Sequence, residues 1–86
     1  MDLNDYKVEI RYPCAWTYTV IGADRRAMEQ VVADVVGEID YTLTISHVSS
    51  TGKYCSLQLE LIVETETHRT DIFHALRRHP AIKAVM

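Results

Sequence analysis

Cys55-Ser56-Leu57-Gln58-Leu59-Glu60-Leu61-Ile62-Val63 alternates along its whole length. Cys55, Leu57, Leu59, Leu61 and Val63 fall on one side, and Ser56, Gln58, Glu60 and Ile62 on the other. This is the period-two mark of a strand with one buried face. Upstream, Ser49-Ser50-Thr51-Gly52-Lys53 is a turn by composition, with Gly52 expected at positive φ. Before the turn, Tyr41, Leu43 and Ile45 alternate with Thr42, Thr44 and Ser46, so the two strands form a hairpin. Further upstream, Met28, Val31, Val32, Val35, Val36 and Ile39 recur at three- and four-residue spacing, one apolar stripe on a helix that Asp24 caps and Asp40 closes. Trp16 to Ile21, bounded by Pro13 and Gly22, reads as the first strand. Downstream, Thr65 or Thr67 caps a second helix whose buried face is Ile72, Phe73 and Leu76. Glu64 and Glu66 lie near its positive end, and Arg77, Arg78 and His79 near its negative end, before Pro80. Ile82 to Met86 is a short last strand.

Strand, helix, strand, strand, helix, strand is an α+β order. Short connections and right-handed crossovers point to a ferredoxin-like βαββαβ sandwich. Its four antiparallel strands run in the order 4-1-3-2, with both helices on one face. Residues 1–13 read as a polar lead-in, with Val8 and Ile10 pairing loosely on the sheet edge, and residues 14–86 as the domain.

The chain has 86 residues, 48% of them hydrophobic, and a formal charge of −3. One core fits this length. The negative balance tilts against nucleic acid, whose affinity comes mainly from cations meeting phosphates. The first residues are acidic and polar, unlike a signal peptide, and no apolar run is long enough to span a bilayer. A cytoplasmic protein without membrane partners is expected.

Catalytic and metal chemistry find little footing. Cys14 and Cys55 make no CxxC pair, and Cys55 reads as a buried small hydrophobe. His68 and His74 are six apart and do not share a helix face, so no metal site is expected. Gly22-Ala23-Asp24 is no phosphate loop, and no serine sits in a nucleophile elbow. An enzyme using Cys14 or a histidine is the weakest reading, and neither catalytic residues nor a cofactor are assigned.

Binding chemistry has more support. Arg25 and Arg26 oppose the macrodipole of the first helix, and with its free amides they form a candidate anion site. The competing reading is that both side chains splay into water. The open sheet face (Thr17, Thr19, Ile21, Thr42, Thr44, Val48, Ser56 and Ile62) is short-chained and nearly uncharged. The last strand is a sheet edge guarded only by Lys83.

Tyr12-Pro13-Cys14-Ala15-Trp16-Thr17-Tyr18-Thr19-Val20-Ile21-Gly22, the turn Ser49-Ser50-Thr51-Gly52-Lys53-Tyr54 and the closing Ile82-Lys83-Ala84-Val85-Met86 together resemble the YbeD-like family of small bacterial proteins. That resemblance implies the same βαββαβ fold and kinship with ACT domains, which sense amino acids and regulate metabolic enzymes. It also implies a link to lipoate metabolism, and it supplies no catalytic residues. ACT domains often bind ligand near a glycine after the first strand, the place that Gly22 holds here. The expectation is a non-catalytic regulatory domain that binds a small metabolite or anion through Gly22, Asp24, Arg25, Arg26, Ser49, Ser50 and Lys53. The alternative is a module without a ligand that pairs with a protein partner or a second copy through its edge strand or open face.

Overall fold

A computed structural model describes residues 10–86; residues 1–9, and with them the pairing expected of Val8, lie outside the described residues. The elements are β1 (Cys14–Gly22), α1 (Arg25–Val36), β2 (Tyr41–Val48), β3 (Cys55–Val63), α2 (Glu66–Arg78) and β4 (Ala84–Val85). They form one antiparallel sheet in the order β2-β3-β1-β4, which is 4-1-3-2 read from the other edge. Alternation places Tyr18, Val20, Leu57, Leu59, Leu61 and Val63 under the helices, where Met28, Val31, Val32, Val36, Ile72 and Leu76 meet them. Cys55 joins this core, its thiol 3.7 Å from the Met28 sulfur. All five inward residues of β3 are buried, which explains why its alternation is the strongest in the chain.

The helix starts follow from their caps. The Asp24 carboxylate accepts from the amides of Arg26 and Ala27 at 3.0 and 3.3 Å. Thr65, rather than Thr67, caps α2, its hydroxyl accepting from the His68 amide at 3.0 Å. Gly52 has φ 71° as the turn requires.

Four details differ from the sequence reading. Gly37, at φ 73°, ends α1 with its N–H on the Ala33 carbonyl, so Ile39 lies past the helix and is exposed rather than part of the stripe. In β2, Ile45 pairs with Leu57 and His47 with Ser56, which leaves Ser46 as a bulge. The extra residue flips the alternation, as bulges do. Val48 therefore pairs with buried Cys55 on the helix side of the sheet, not on the open face, and it remains exposed. The last strand shrinks to Ala84–Val85, with Ile82 buried as core instead. Ile10 is exposed and in no strand, so it does not pair with the sheet edge.

Candidate functional site

The register gathers the sequence-derived candidates at one end of the sheet. Cys55 pairs with Gly22 on one side and Val48 on the other, so the end of β1 lies beside the β2–β3 turn. The Lys83 amide donates to the Ile21 carbonyl at 2.7 Å, which brings in the start of β4 and the exit from α2. Arg25, Arg26, Lys53, Arg77, Arg78 and Lys83 all belong to these segments, six of the chain's nine Lys and Arg residues. A chain of net charge −3 thus has a cationic end.

Within that end the seven candidates do different things. Asp24 is committed to its cap. Arg25 pairs with Glu29 one turn on, at 3.6 Å and largely exposed. Ser49 is used by the turn: its hydroxyl accepts from the Tyr54 amide and its carbonyl from the Gly52 amide. Arg26, Ser50 and Lys53 are exposed. Gly22 is buried, and a Cβ there would stand 2.6 Å from the Ala81 carbonyl oxygen.

A second place was not reached from the sequence. Trp16 and Tyr18 of β1, Arg69, Thr70 and Phe73 of α2, and Met86 line a cavity of about 290 Å³. The Arg69 guanidinium lies 4.4 Å from the centre of the Trp16 ring, a cation–π stack. Its exposed side also meets Glu66 at 3.7 Å, a pair of little energetic weight. The Tyr18 hydroxyl donates to the Arg69 carbonyl at 2.6 Å and so ties the strand to the helix. Trp16 alternates inward, and Arg69, Thr70 and Phe73 share a helix face at spacings of one, three and four. That spacing was visible in the sequence. That Met86, hydrogen-bonded to Thr19, joins the lining was not.

Burial pushes the Tyr18 hydroxyl up from 10.0 to about 12, against the lowering effect of Arg69 and with a smaller raise from Tyr12. Its folded pKa is above its unfolded one, so its contribution is complete below pH 10.0 and falls as pH rises toward about 12. Tyr18→Phe is expected to cost about 1 kcal/mol at neutral pH, the worth of the lost hydrogen bond. It should also flatten the alkaline decline in stability, read from urea unfolding at stepped pH. A decline as steep as that of the parent protein would refute the assignment.

Among the described residues no three His, Cys, Asp or Glu side chains stand close enough to hold a metal ion, and no helix is long and apolar enough to cross a membrane.

Residues 7–86 match a family of proteins of unknown function, DUF493. An uncharacterized protein of Campylobacter jejuni is 33% identical over 79 residues, covering 90% of this chain and 91% of its own. A UPF0250 protein of Pseudomonas putida is 30% identical over 89 residues, covering 99% and 96%. Among solved structures, the solution structure of protein HP0495 from H. pylori superposes with a TM-score of 0.83 at 22% identity, covering all of this chain (100%) and 94% of that one. The ACT domain of a GTP pyrophosphokinase from Chlorobium tepidum superposes at 0.61 with 18% identity, over 84% of this chain and 94% of that one. At these identities the two structures speak to the fold.

Proposed function

The chain belongs to the DUF493 family, of unknown function and ACT-like in fold, and from that premise we propose that it is a non-catalytic regulatory domain that takes a small metabolite. The observation that carries this reading is the cavity between β1 and α2. Its size is near the lower end for small-molecule sites, and aromatic walls with one placed cation are the usual composition of such sites. A guanidinium stacked on a ring keeps its in-plane N–H donors available to an oxyanion. The ligand class that fits is a small acid with an apolar body, the apolar part against Phe73 and Met86 and the carboxylate toward Arg69. The cationic end, with Arg26 and Lys53 exposed, is the competing place for an anion.

Thermal unfolding in the presence of octanoate, phenylacetate, lipoate, amino acids and nucleotides tests the reading. A ligand at about a hundred times its dissociation constant adds roughly 2.7 kcal/mol, several degrees in a domain of this size. The expected hit is an apolar acid, with the response lost in Phe73→Lys and kept in Arg26→Ala/Lys53→Ala. The reverse pattern moves the site to the cationic end. A flat panel refutes the metabolite reading and favours the second one, a protein-interaction module without a ligand, which the strand edges left uncovered among the described residues support.

A further inference from the structure

β2 is an outer strand of eight residues, Tyr41 to Val48, with no charged residue and no proline within it. Charges, prolines and short length are the usual protections of an edge, and β2 has none of the three. The helix-side row of β2 is also poorly covered: Tyr41 and Leu43 are half-buried, and Ile45 is 50% exposed. Among the described residues, an unprotected backbone edge therefore runs beside an unfinished apolar row.

The direction of the free backbone groups follows from the ladder. Thr19 exchanges both of its hydrogen bonds with Met86, so its groups point toward β4. By alternation the groups of Tyr18 and Trp16 point toward β3, at Leu59 and Leu61. Those of Gln58 and Glu60 then point toward β2, at Thr44 and Thr42. Tyr41, Leu43 and Ile45 are left to present their N–H and C=O groups outward. The bulge at Ser46 ends this regular stretch.

We propose that β2 is a homodimer interface in which two copies pair antiparallel about a two-fold axis at Leu43, making one eight-stranded sheet. The stretch is self-complementary in that register. Leu43 faces Leu43 and Tyr41 faces Ile45 on the helix side, an aromatic–aliphatic pair covering the exposed row. Thr42 faces Thr44 on the open side, and both pairings are favourable across strands. Hydrogen-bonded positions fall on the residues that point outward, giving about six backbone bonds across the axis. Charge agrees with geometry. The end opposite the cationic one holds Glu38, Asp40, Glu64 and Glu66. Antiparallel pairing lays the cationic end of each copy beside the acidic end of the other, an attraction that salt screens. The interface is independent of whether the cavity takes a ligand.

Sedimentation equilibrium of the full chain should give twice the 9.9 kDa mass, with the dimer weakening as salt rises. Ile45→Lys, at a position exposed in the monomer, should raise the dimer dissociation constant roughly a hundredfold, because the axis installs the buried charge twice. Its circular dichroism should be unchanged. The register has its own test in a Cys14→Ser background. Thr42→Cys and Thr44→Cys should form a disulfide dimer when mixed, and neither should do so alone. A parent protein that is monomeric at every concentration overturns the proposal. So does a dimer that survives Ile45→Lys or fails to cross-link in the mixture, since it would use another surface.

Discussion

Gly22→Ala should lower the unfolding midpoint by roughly 10–20 °C, from an overpacking cost of about 2–3 kcal/mol in a domain of this length. The added Cβ would meet the Ala81 carbonyl oxygen at 2.6 Å and the Met28 sulfur at 2.8 Å. The methionine can swing aside, since it is flexible. The carbonyl cannot easily do so. Its segment is held by the Ile82 amide on the His79 carbonyl, and by the Lys83 amide on Ile21 next to Gly22 itself. Moving Ala81 away therefore pulls β4 off β1. Met28→Ala added to Gly22→Ala should rescue little, because the backbone contact persists and a core side chain is lost. Gly52→Ala is the comparison: its φ is 71° with open space around it, so only the left-handed backbone penalty of about 1 kcal/mol applies. A Gly22→Ala protein melting within two or three degrees of the parent would refute the packing argument. The glycine has a structural reason of its own, so ligand tests at this end belong to exposed Arg26 and Lys53.

The parts of the fold legible in the sequence are those where a local pattern and the tertiary environment coincide. β3 is flanked on both sides and covered on one face, so its alternation maps directly onto burial. Asp24 and Gly52 were legible because capping and positive φ are requirements of the chain itself. Nothing local marks the bulge: Thr44-Ile45-Ser46-His47-Val48 alternates well as a regular strand, and only the pairing with β3 shows Ser46 unmatched. Ile39 kept the stripe's spacing, and that obscured Gly37 two residues earlier, where the helix stops. The cavity depends on a juxtaposition, the inward side chains of β1 and one face of α2 meeting Met86. No periodicity in β1 or α2 reports on where Met86 lies. The gathering of six cations at one end is equally non-local, since they come from four separate segments.

The other large effect expected is at Leu59, which is fully buried and paired with Tyr18 on one side and Leu43 on the other. It is thus at the centre of both ladders. Leu59→Ala removes most of a core side chain and leaves a cavity that neighbouring strands, fixed by those ladders, cannot close. The cost should be about 3–4 kcal/mol, toward the upper part of the usual range for such truncations. Against a total of roughly 4–13 kcal/mol for a domain this small, that leaves the variant partly unfolded on warming. Gln58→Ala, next door but pointing to water, should stay within about 0.5 kcal/mol of the parent. Urea unfolding separates the two: the midpoint for Leu59→Ala should drop with an unchanged slope, as expected when stability alone has changed. Leu59 and Tyr18 lie directly opposite each other, so Leu59→Ala combined with Tyr18→Phe should depart from additivity by at least about 0.5 kcal/mol. Strict additivity would mean that the Tyr18 hydroxyl bonds the Arg69 carbonyl equally well with or without the Leu59 side chain beside the ring.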